Sequence, residues 1–325
     1  MLKLFNNKIN KSRFSVAPMM GKTDAYFCIL SYLINKDIRV YTEMMHAETI
    51  LRSNILDNYR GLKNISKISL QIAGNNPKVL AKASKVVEDL GFQEININCG
   101  CPSPRVVSGN FGISLLENPE LVSECVNEMK NNVSCKVSIK TRIGINYEKN
   151  DEILDKFLEC LNKVNTKKYI IHARNAIINK IPTKKNLSIP KLDYNRVFRL
   201  KKKFHKNTII INGGFMNTYE NNKILEKVDG IMIGREAYKN PWIFDKEYKS
   251  DYNYKKDIVL SYLNIIDDKF KKIGFNFKSV EHLYNIFNSL PGSKKWKQLV
   301  NLAAREKKLE CLFNYLRYNK LKCID

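Results

Sequence analysis

A cysteine on a glycine- and proline-rich loop is the residue of this sequence best suited to chemistry. The segment 96–112 (NINCGCPSPRVVSGNFG) holds Cys99 and Cys101 together with two prolines and three glycines. The two-residue spacing of the thiols is unusual for zinc ligands, and a disulfide between them would be strained. A nucleophilic pair with His172 has no evident third group to orient it. We therefore expect no metal site, and we expect Cys101 to donate a proton beside a bound ring, with an inert loop cysteine as the alternative.

Two glycine-containing segments have the composition of a phosphate-binding site. Residues 212–215 (NGGF) and 234–237 (GREA) each follow a short apolar run and precede a helical pattern. Glycine lets the backbone approach an anion closely, and Arg235 adds a charge that can bind phosphate through two hydrogen bonds. The pattern favours a phosphorylated cofactor such as flavin mononucleotide (FMN), with glycines that only form turns as the alternative. The lack of a GxGxxG motif after the first apolar run argues against a dinucleotide-binding fold.

Lys140 and His172 end two further apolar runs, and we expect their side chains to enter one cavity. A lysine ammonium there would stabilise a reduced, anionic flavin ring. His172 is expected to contact the cofactor phosphate or the substrate, with an ordinary hydrogen-bonded histidine as the alternative.

These residues need a scaffold that brings strand ends together, and the apolar pattern predicts one. Short β-branched runs alternate with amphipathic segments such as 77–91 and 118–130. The eight predicted strands are 14–19, 39–44, 68–74, 94–100, 136–142, 169–174, 208–213 and 230–236. Their number and order predict an α/β fold, a (β/α)8 TIM barrel, with a doubly wound sheet as the alternative. Polar residues at the strand ends favour the barrel, because its strands converge on one mouth.

After about residue 248 only helical patterns remain, with apolar stripes over 258–270 and 280–287. We therefore predict a cofactor-binding barrel domain over residues 1–248 and an appended all-helical domain over residues 249–325.

The chain is strongly basic, with 56 Lys and Arg residues against 32 Asp and Glu and a formal net charge of +24. Compositional bias explains many lysines but not the shortage of acids, so a polyanionic partner, above all nucleic acid, is favoured. Basic residues concentrate over 180–206, where Asp193 is the nearby opposing charge, and over 291–299, where lysines flank Trp296. Cations around an aromatic ring suit a phosphate backbone and a stacked base. A solvated helix face is the alternative for 199–206.

Composition also bears on where the protein works. Apolar residues make up 44% of the chain, which excludes wholesale disorder. No run approaches the ~18 apolar residues of a membrane span. The eight cysteines form no disulfide framework, and no signal-peptide core is evident. We expect a cytoplasmic protein with no membrane association, and a monomer, because nothing demands a dimer.

An ordered set of motifs resembles one enzyme family. Across residues 14–244 the motifs are FSVAPMMGKTD, YTEM, LQIAG, EININCGCPS, GNFG, VSIKTRIG, IIHAR, IPKLDY, INGG and GIMIGREAYKNPWIF. Together they are similar to the tRNA-dihydrouridine synthases, most of all to the A-type subfamily, and PGSKKWK extends the likeness into the helical region. The resemblance implies an FMN-bound barrel that reduces the C5–C6 double bond of D-loop uridines in tRNA, chiefly at positions 20 and 20a. It also implies that NADPH reduces the flavin.

The resemblance further implies roles for individual residues. Cys101 matches the proton donor to C5, after hydride from the flavin has reached C6. The positions that match FMN-binding residues are Ala17, Pro18, Met19, Gln71, Lys140, His172, Asn212, Gly213, Gly214, Gly234 and Arg235. The positions that match tRNA contacts are Asn98, Lys184, Leu187, Lys294 and Lys297.

The chain departs from the A-type pattern at some of these positions. Leu187 stands where an arginine is expected to contact RNA, and Lys294 and Lys297 replace arginines, which bind phosphate with a different geometry. GKTD replaces the usual aspartate–tryptophan before Thr-Asp, and Cys99 is an additional thiol. We expect these changes to affect tRNA affinity and the choice of uridine rather than the reaction.

Two other functions share part of the pattern. A flavin dehydrogenase acting on free pyrimidines or dihydroorotate would share the barrel and the FMN site but would have no use for the charge or the helical region. A tRNA-binding protein with decayed activity would have no use for Cys101, Lys140 or the phosphate-loop glycines.

Overall fold

The computed structural model describes residues 13–62, 65–146, 151–178, 181–218, 221–245 and 251–318. Its strands are β1 (Phe14–Val16), β2 (Arg39–His46), β3 (Ile68–Ala73), β4 (Glu94–Cys99), β5 (Lys136–Arg142), β6 (Lys168–His172), β7 (Thr208–Asn212) and β8 (Gly230–Ile233). They pair in chain order, all parallel, and β1 also pairs with β8, so the sheet closes into a barrel. The predicted TIM barrel is confirmed, and the doubly wound alternative is wrong.

The strands are buried on both faces, which explains why they read as apolar runs rather than as alternating patterns. Every residue of β3 and β4 is buried. Outward side chains pack under the helices, whereas a separate apolar cluster fills the barrel interior. The interior cluster consists of Ala17, Tyr41, Ile170, Ile210 and Met232.

The helices of the barrel lie between successive strands or follow the last one. They are α1 (Ala25–Ile34), α2 (Ala47–Arg52), α3 (Pro77–Asp89), α4 (Pro104–Ser108), α5 (Pro119–Asn132), α6 (Asp151–Lys163), α7 (Tyr194–Lys203), α8 (Asn222–Leu225) and α9 (Arg235–Lys239). Helix α3 shows how local sequence sets the bounds. The Asn76 side chain accepts a hydrogen bond from the N–H of Val79, Pro77 occupies the first turn, and Gly91 follows the end with φ +100°.

The described residues after 250 form helices only, as predicted. These helices are α10 (Tyr252–Ile273), α11 (Phe277–Glu281), α12 (Ser293–Glu306) and α13 (Glu310–Tyr318). Helix α10 packs on α1, and one hydrophobic core runs from the barrel into these helices. The predicted domain boundary between residues 248 and 249 lies outside the described residues. In the described part of the chain, no helix has the length and apolar character needed to cross a membrane.

Trp296 belongs to the core of this helical region. Its side chain is 1% exposed, and its indole Nε1 donates a hydrogen bond to the carbonyl of Leu283 at 2.8 Å. The ring contacts Phe287 and Tyr315. The expectation that Trp296 stacks on a base is therefore wrong, because α12 turns this residue inward while its lysine neighbours face outward.

A buried carboxylate network lies near the amino-terminal end of the barrel. Glu94 is 2% exposed and forms an ion pair with Lys168 at 2.8 Å. Its oxygens also accept hydrogen bonds from the hydroxyls of Tyr41 at 2.8 Å and Ser138 at 2.7 Å. Burial opposes ionisation of Glu94, but the charges of Lys168 and Arg39 together with hydrogen bonds from Lys168 and Ser138 hold the pKa of the carboxyl below its usual value.

Candidate active site

The predicted cofactor residues gather at the carboxyl end of the barrel. The segment Ala17–Met19 follows β1, Gln71 and Lys140 lie within β3 and β5, and the remainder end or follow β6, β7 and β8. Strand register makes several of them neighbours: Asn98 pairs with Lys140, and His172 pairs with Asn212. The structure therefore brings together, at one mouth, residues far apart in sequence.

A chain of side-chain amides crosses the interior below this mouth. The Gln71 Nε2 donates to Asn96 Oδ1 at 2.7 Å, and the Asn98 Nδ2 donates to Gln71 Oε1 at 2.8 Å. The Asn96 Nδ2 continues the chain to the hydroxyl of Ser138 at 2.9 Å, which donates to Glu94. Because each amide has its donor and acceptor engaged, the orientations of Gln71 and Asn98 are set before any ligand binds.

Asn98 positions the loop that carries Cys101. Its side-chain Oδ1 accepts hydrogen bonds from the backbone N–H groups of Gly100 at 3.1 Å and Cys101 at 3.0 Å. Gly112 closes the other side of the loop at φ +65°, where a Cβ atom would lie 2.7 Å from the Cys101 carbonyl oxygen. The thiol is thus held half-buried at the rim of the mouth by contacts from both ends of the loop.

The second thiol of the loop faces the protein interior. Cys99 is 0% exposed, and burial raises its pKa well above that of an ordinary thiol. A group without access to the mouth cannot exchange a proton with a ligand there. The structure therefore distinguishes Cys101 from Cys99, although the two are only two positions apart.

Cationic side chains surround the mouth. Burial, aided by the charge of Arg142, lowers the pKa of Lys140 to about 7. Burial and nearby cations also hold the pKa of His172 well below its usual value, so its ring is neutral near pH 7. The cations around His172 are Lys140, Arg142, Arg174 and Arg235. An anion bound among these groups would relieve their mutual repulsion.

Three arginines hold the loop between β6 and α7 against the mouth. The carbonyl acceptors are Asn175 and Asn186 for Arg142, Ser188 and Pro190 for Arg174, and Leu187 for Arg235. Arg142 also donates to the carbonyl of Gly100 at 3.0 Å and so ties this loop to the Cys101 loop. Buried Nε of Arg174 has no hydrogen-bond partner among the described residues.

The glycines after β7 allow close approach of the backbone. Gly213 has φ +118°, and a Cβ atom there would lie 2.8 Å from the Cδ2 atom of His172. Gly214 has φ +80°, and its Cβ would meet Leu192 at 2.5 Å. Both positions therefore require glycine. Beside them, the position of Gly234 is open, since a Cβ there would have Ala17 as its nearest atom, at 3.6 Å.

Comparison with known proteins decides the family. The model of the family described as "Dihydrouridine synthase (Dus)" matches residues 15–319. The chain is 36% identical over 313 residues to the tRNA-dihydrouridine(20/20a) synthase of Synechocystis sp. This match covers 93% of this chain and 92% of the relative. It is 35% identical over 296 residues to the enzyme of that name from Escherichia coli K12. That match covers 89% of this chain and 86% of the relative. The chain belongs to the dihydrouridine synthase family.

Solved structures confirm the barrel at much lower identity. A 2-naphthoyl-CoA reductase complex matches with a TM-score of 0.52 and 10% identity, over 72% of this chain and 49% of the other. A histamine dehydrogenase from Rhizobium sp. 4-9 matches with a TM-score of 0.55 and 10% identity, over 78% and 49%. Our chain therefore spans about half the length of these two structures, and the likeness shows the fold alone.

Membership of the dihydrouridine synthase family confirms the resemblance drawn from the ordered motifs. It leaves the individual tRNA-contact residues as predictions. Lys184 and Lys294 are exposed and Lys297 is partly exposed. Leu187 offers its carbonyl to Arg235, and Asn98 is only 8% exposed, with its amide engaged by the Cys101 loop.

The basic segment around α7 differs from its predicted character. Its cations do not have Asp193 as their main opposing charge, because acids of α6 and Asp229 pair with them. The pairs are Arg196 with Asp151 and Asp155, Arg199 with Asp151, Lys203 with Asp155 and Glu159, and Lys201 with Asp229. The sequence hides the pairing between α7 and α6, because these partners lie 41 to 48 residues apart on neighbouring helices. Lys180, at the start of the segment, lies outside the described residues.

Two arginines at the mouth, Arg142 and Arg174, were not assigned roles from the sequence. Arg142 and Arg174 stand at predicted strand ends, which marks them as mouth residues. Nothing in the sequence shows that they bind backbone carbonyls rather than a ligand. Among the described residues, no group of three or more His, Cys, Asp or Glu side chains could hold a metal ion.

Proposed function

We propose that the chain reduces the C5–C6 double bond of uridines at positions 20 and 20a in the D-loop of tRNA, with bound FMN and with NADPH as reductant. The observation that carries the proposal is the thiol of Cys101, held half-buried at a cationic barrel mouth in a member of the dihydrouridine synthase family. Relatives named tRNA-dihydrouridine(20/20a) synthases, 36% and 35% identical to this chain, support the choice of substrate.

The residues at the mouth fit an FMN molecule. Gly213 and Gly214 allow a backbone turn that other residues cannot adopt there, the position of Gly234 is open, and the buried Nε of Arg174 has no partner among the described residues. These features suit a phosphate group. The residues that would contact the remainder of the cofactor are Ala17, Pro18, Met19, Gln71, Lys140, His172 and Asn212. Lys140 would provide the charge that favours a reduced, anionic ring.

The protein's part in the chemistry centres on Cys101. When bound among these residues, a flavin would supply a hydride to C6 of the uracil, which is conjugated to the C4 carbonyl. Cys101 donates its Sγ proton to C5, which completes the addition across the double bond. Cysteine thiols in general keep their proton near neutral pH, whereas carboxylic acids do not. Lys140 and Arg142 stabilise the negative charge that develops on the sulfur.

Access of the base requires a distortion of the tRNA. The uridine must leave its stack and enter the mouth, which costs a few kcal/mol. Attraction between the RNA backbone and the exposed Lys184 and Lys294, together with the partly exposed Lys297, offsets that cost. Lys297 lies 5.3 Å from the ring centre of Tyr284, which is 38% exposed, so this surface combines a cation with an accessible aromatic ring.

The remaining parts of the proposal concern location and assembly. We propose that the enzyme works as a monomer in the cytoplasm. All seven cysteines within the described residues are free thiols, which agrees with a reducing compartment.

The decisive experiment measures dihydrouridine formation by the purified flavin-loaded protein with NADPH. Its substrates are unmodified tRNA transcripts and tRNA isolated from a host that lacks the synthases. We expect product at positions 20 and 20a. Cys101→Ala should retain FMN and lose at least ~100-fold in rate, the contribution typical of a general acid. Cys99→Ala is the matched control and should keep its rate, because that thiol is buried away from the mouth.

Each alternative outcome has a distinct meaning. Full activity of Cys101→Ala would remove this thiol from the mechanism. Product on isolated tRNA alone would show that other modifications help to present the base. A flavin-loaded protein that forms no product on either substrate would contradict the proposal and favour a dehydrogenase of free pyrimidines.

A further inference from the structure

A serine hydroxyl lies beside the thiol that we assign to proton donation. The Sγ of Cys101 is 3.6 Å from the Oγ of Ser103, within the range of a hydrogen bond to sulfur, with the thiol as donor. Both side chains belong to the loop that Asn98 and Gly112 hold in place. The contact between the thiol and the hydroxyl is therefore fixed by the backbone of the loop and does not depend on two mobile side chains.

Ser103 occupies the N-cap position of α4, but its hydroxyl does not form the hydrogen bond that is usual for an N-cap side chain. A serine at this position ordinarily accepts a hydrogen bond from the backbone of the first turn through its side chain. In α4 the Ser103 side chain forms no such bond. Its backbone carbonyl instead accepts from the N–H groups of Val106 at 2.9 Å and Val107 at 3.0 Å.

Proline on each side restricts the backbone at this point. Pro102 and Pro104 each have a fixed φ and no N–H group, so the intervening Ser103 keeps an extended conformation with φ −68° and ψ 144°. The hydroxyl then has the thiol as its neighbour. The absence of the side-chain capping hydrogen bond costs about 1 kcal/mol of helix stability, which is a large amount for so short a helix.

We propose that Ser103 is a positioning residue that acts through Cys101. Its oxygen accepts the S–H hydrogen bond until the substrate is bound, the S–H then turns towards C5, and the O–H of Ser103 turns to donate to the sulfur as the thiolate forms. The role in uridine reduction rests on the function proposed above, whereas the contact with the thiol does not.

The proton and electron balance of the step is simple. The S–H bond of Cys101 breaks and leaves its electron pair on sulfur. The C5–H bond forms with the electron pair of the enolate that follows hydride addition at C6. The O–H bond of Ser103 stays intact, because the hydroxyl only rotates. Since this second hydrogen bond exists only once charge has developed on sulfur, it stabilises the transition state more than the ground state.

The first test measures the thiol without any turnover. Site-resolved mass spectrometry follows alkylation of Cys101 by iodoacetamide as a function of pH in the flavin-loaded protein. Ser103→Ala should move the midpoint upward by about one pH unit, because the thiolate loses a hydrogen bond. Ser103→Thr, which keeps a hydroxyl, should restore the wild-type midpoint. Ser108→Ala is the control, since that exposed hydroxyl donates to the carbonyl of Arg105 in the same loop.

The second test measures the chemical step. Oxidation of the pre-reduced enzyme by tRNA in a single turnover should slow by about tenfold in Ser103→Ala, with tRNA affinity unchanged. An unchanged alkylation midpoint in that variant overturns the proposal. A shifted midpoint with an unchanged single-turnover rate overturns the part that concerns catalysis. If the wild-type protein does not reduce tRNA, the proposed function fails, and the alkylation profile still decides the contact between Ser103 and Cys101.

Discussion

At the scale of single residues, hydrogen bonding and burial assign different properties to chemically identical groups. Cys99 ends a buried strand and Cys101 begins a loop, so one thiol faces the core and the other faces the mouth. Lys140 and Lys168 show the same contrast. Lys168 pairs with Glu94 at 2.8 Å, whereas the Lys140 ammonium stands near other cations, with a pKa lowered to about 7 by burial first and Arg142 second. Lys168 is thus neutralised by a carboxylate, whereas the surroundings of Lys140 oppose its positive charge.

Glu94 gives the clearest prediction at this scale. Nearby cations and hydrogen bonds lower its pKa in the folded protein, so its ionised form stabilises the native state above the unfolded pKa of about 4.3. This contribution begins to be lost as the pH falls below that value and is lost fully once the pH is below the lowered pKa of the folded protein. Glu94→Gln should reduce the free energy of unfolding at pH 7 by about 2–3 kcal/mol, because Lys168 and Arg39 lose their buried partner. Urea unfolding at pH 7 and at pH 4 measures the effect.

The difference between variant and wild type should be smaller at pH 4 than at pH 7. Asp89→Asn serves as the control, because the Asp89 carboxylate is 62% exposed and its pair with Lys85 contributes little. A difference as large at pH 4 as at pH 7 would show that Glu94 stabilises the barrel through shape rather than charge.

At the scale of elements, the sequence predicts the strands well and the loops poorly. All eight strands lie where β-branched runs occur, because burial on both faces demands such residues. Two bounds differ. β1 ends at Val16 rather than at residue 19, and β2 continues to His46 through a register shift between Tyr41 and Met44. Such irregularities depend on neighbouring strands, which local patterns do not show.

The loops depend even more on distant partners. Arg142 reaches carbonyls in two loops, and the cations of α7 pair with acids of α6. Both arrangements join residues that are remote in sequence. The sequence therefore predicts which residues meet at the mouth, because strand ends must converge there, but not which of them bind one another.

The prediction at the scale of elements concerns substitution of Gly112. Its backbone is left-handed, at φ +65°, and an added Cβ would also lie 2.2 Å from the side chain of Val106. Gly112→Ala should therefore displace the Cys101 loop and slow dihydrouridine formation by at least ~10-fold, with FMN retained. Gly61→Ala is the matched control, because Gly61 has φ +68° and no atom within 4 Å of the added Cβ.

Both variants share the strain of a left-handed residue, about 1 kcal/mol, so thermal unfolding should show that loss in each. Only Gly112→Ala should add a steric loss of stability and a loss of activity. Equal behaviour of the two variants would show that the loop tolerates the added methyl group and that its position is not critical.

At the scale of the whole molecule, the barrel mouth and the helical region are joined around the loop after β1. His282, in the turn after α11, lies with its Nε2 2.8 Å from Asp24, and Lys278 donates to the carbonyl of Gly21 at 3.2 Å. The same loop contains Met19, a predicted cofactor contact. A tRNA bound to the helices would therefore be placed against the mouth by a polar interface as well as by the shared hydrophobic core.

The net charge of the chain is +24, but only those cations that are not paired with acids can attract the tRNA strongly. Cations of α7 are largely neutralised by α6, whereas Lys294 and Lys297 at the start of α12 have no carboxylate within ion-pair distance among the described residues. We expect Lys294→Glu combined with Lys297→Glu to weaken tRNA binding by about 10- to 100-fold at ~0.1 M salt. The salt dependence of binding should fall by about one unit of slope for each lysine that contacts a phosphate.

Lys202→Glu combined with Lys206→Glu changes the net charge by the same amount and is the matched control. If tRNA responds only to total charge, both double variants lose the same affinity and the helical region is not an RNA platform. If α12 contacts the phosphate backbone, its variant loses more affinity and more salt dependence, while the flavin spectrum stays unchanged in both. Filter binding over a range of salt concentrations distinguishes the two cases, because bulk attraction changes the affinity of both variants alike, whereas a direct phosphate contact reduces the slope of one.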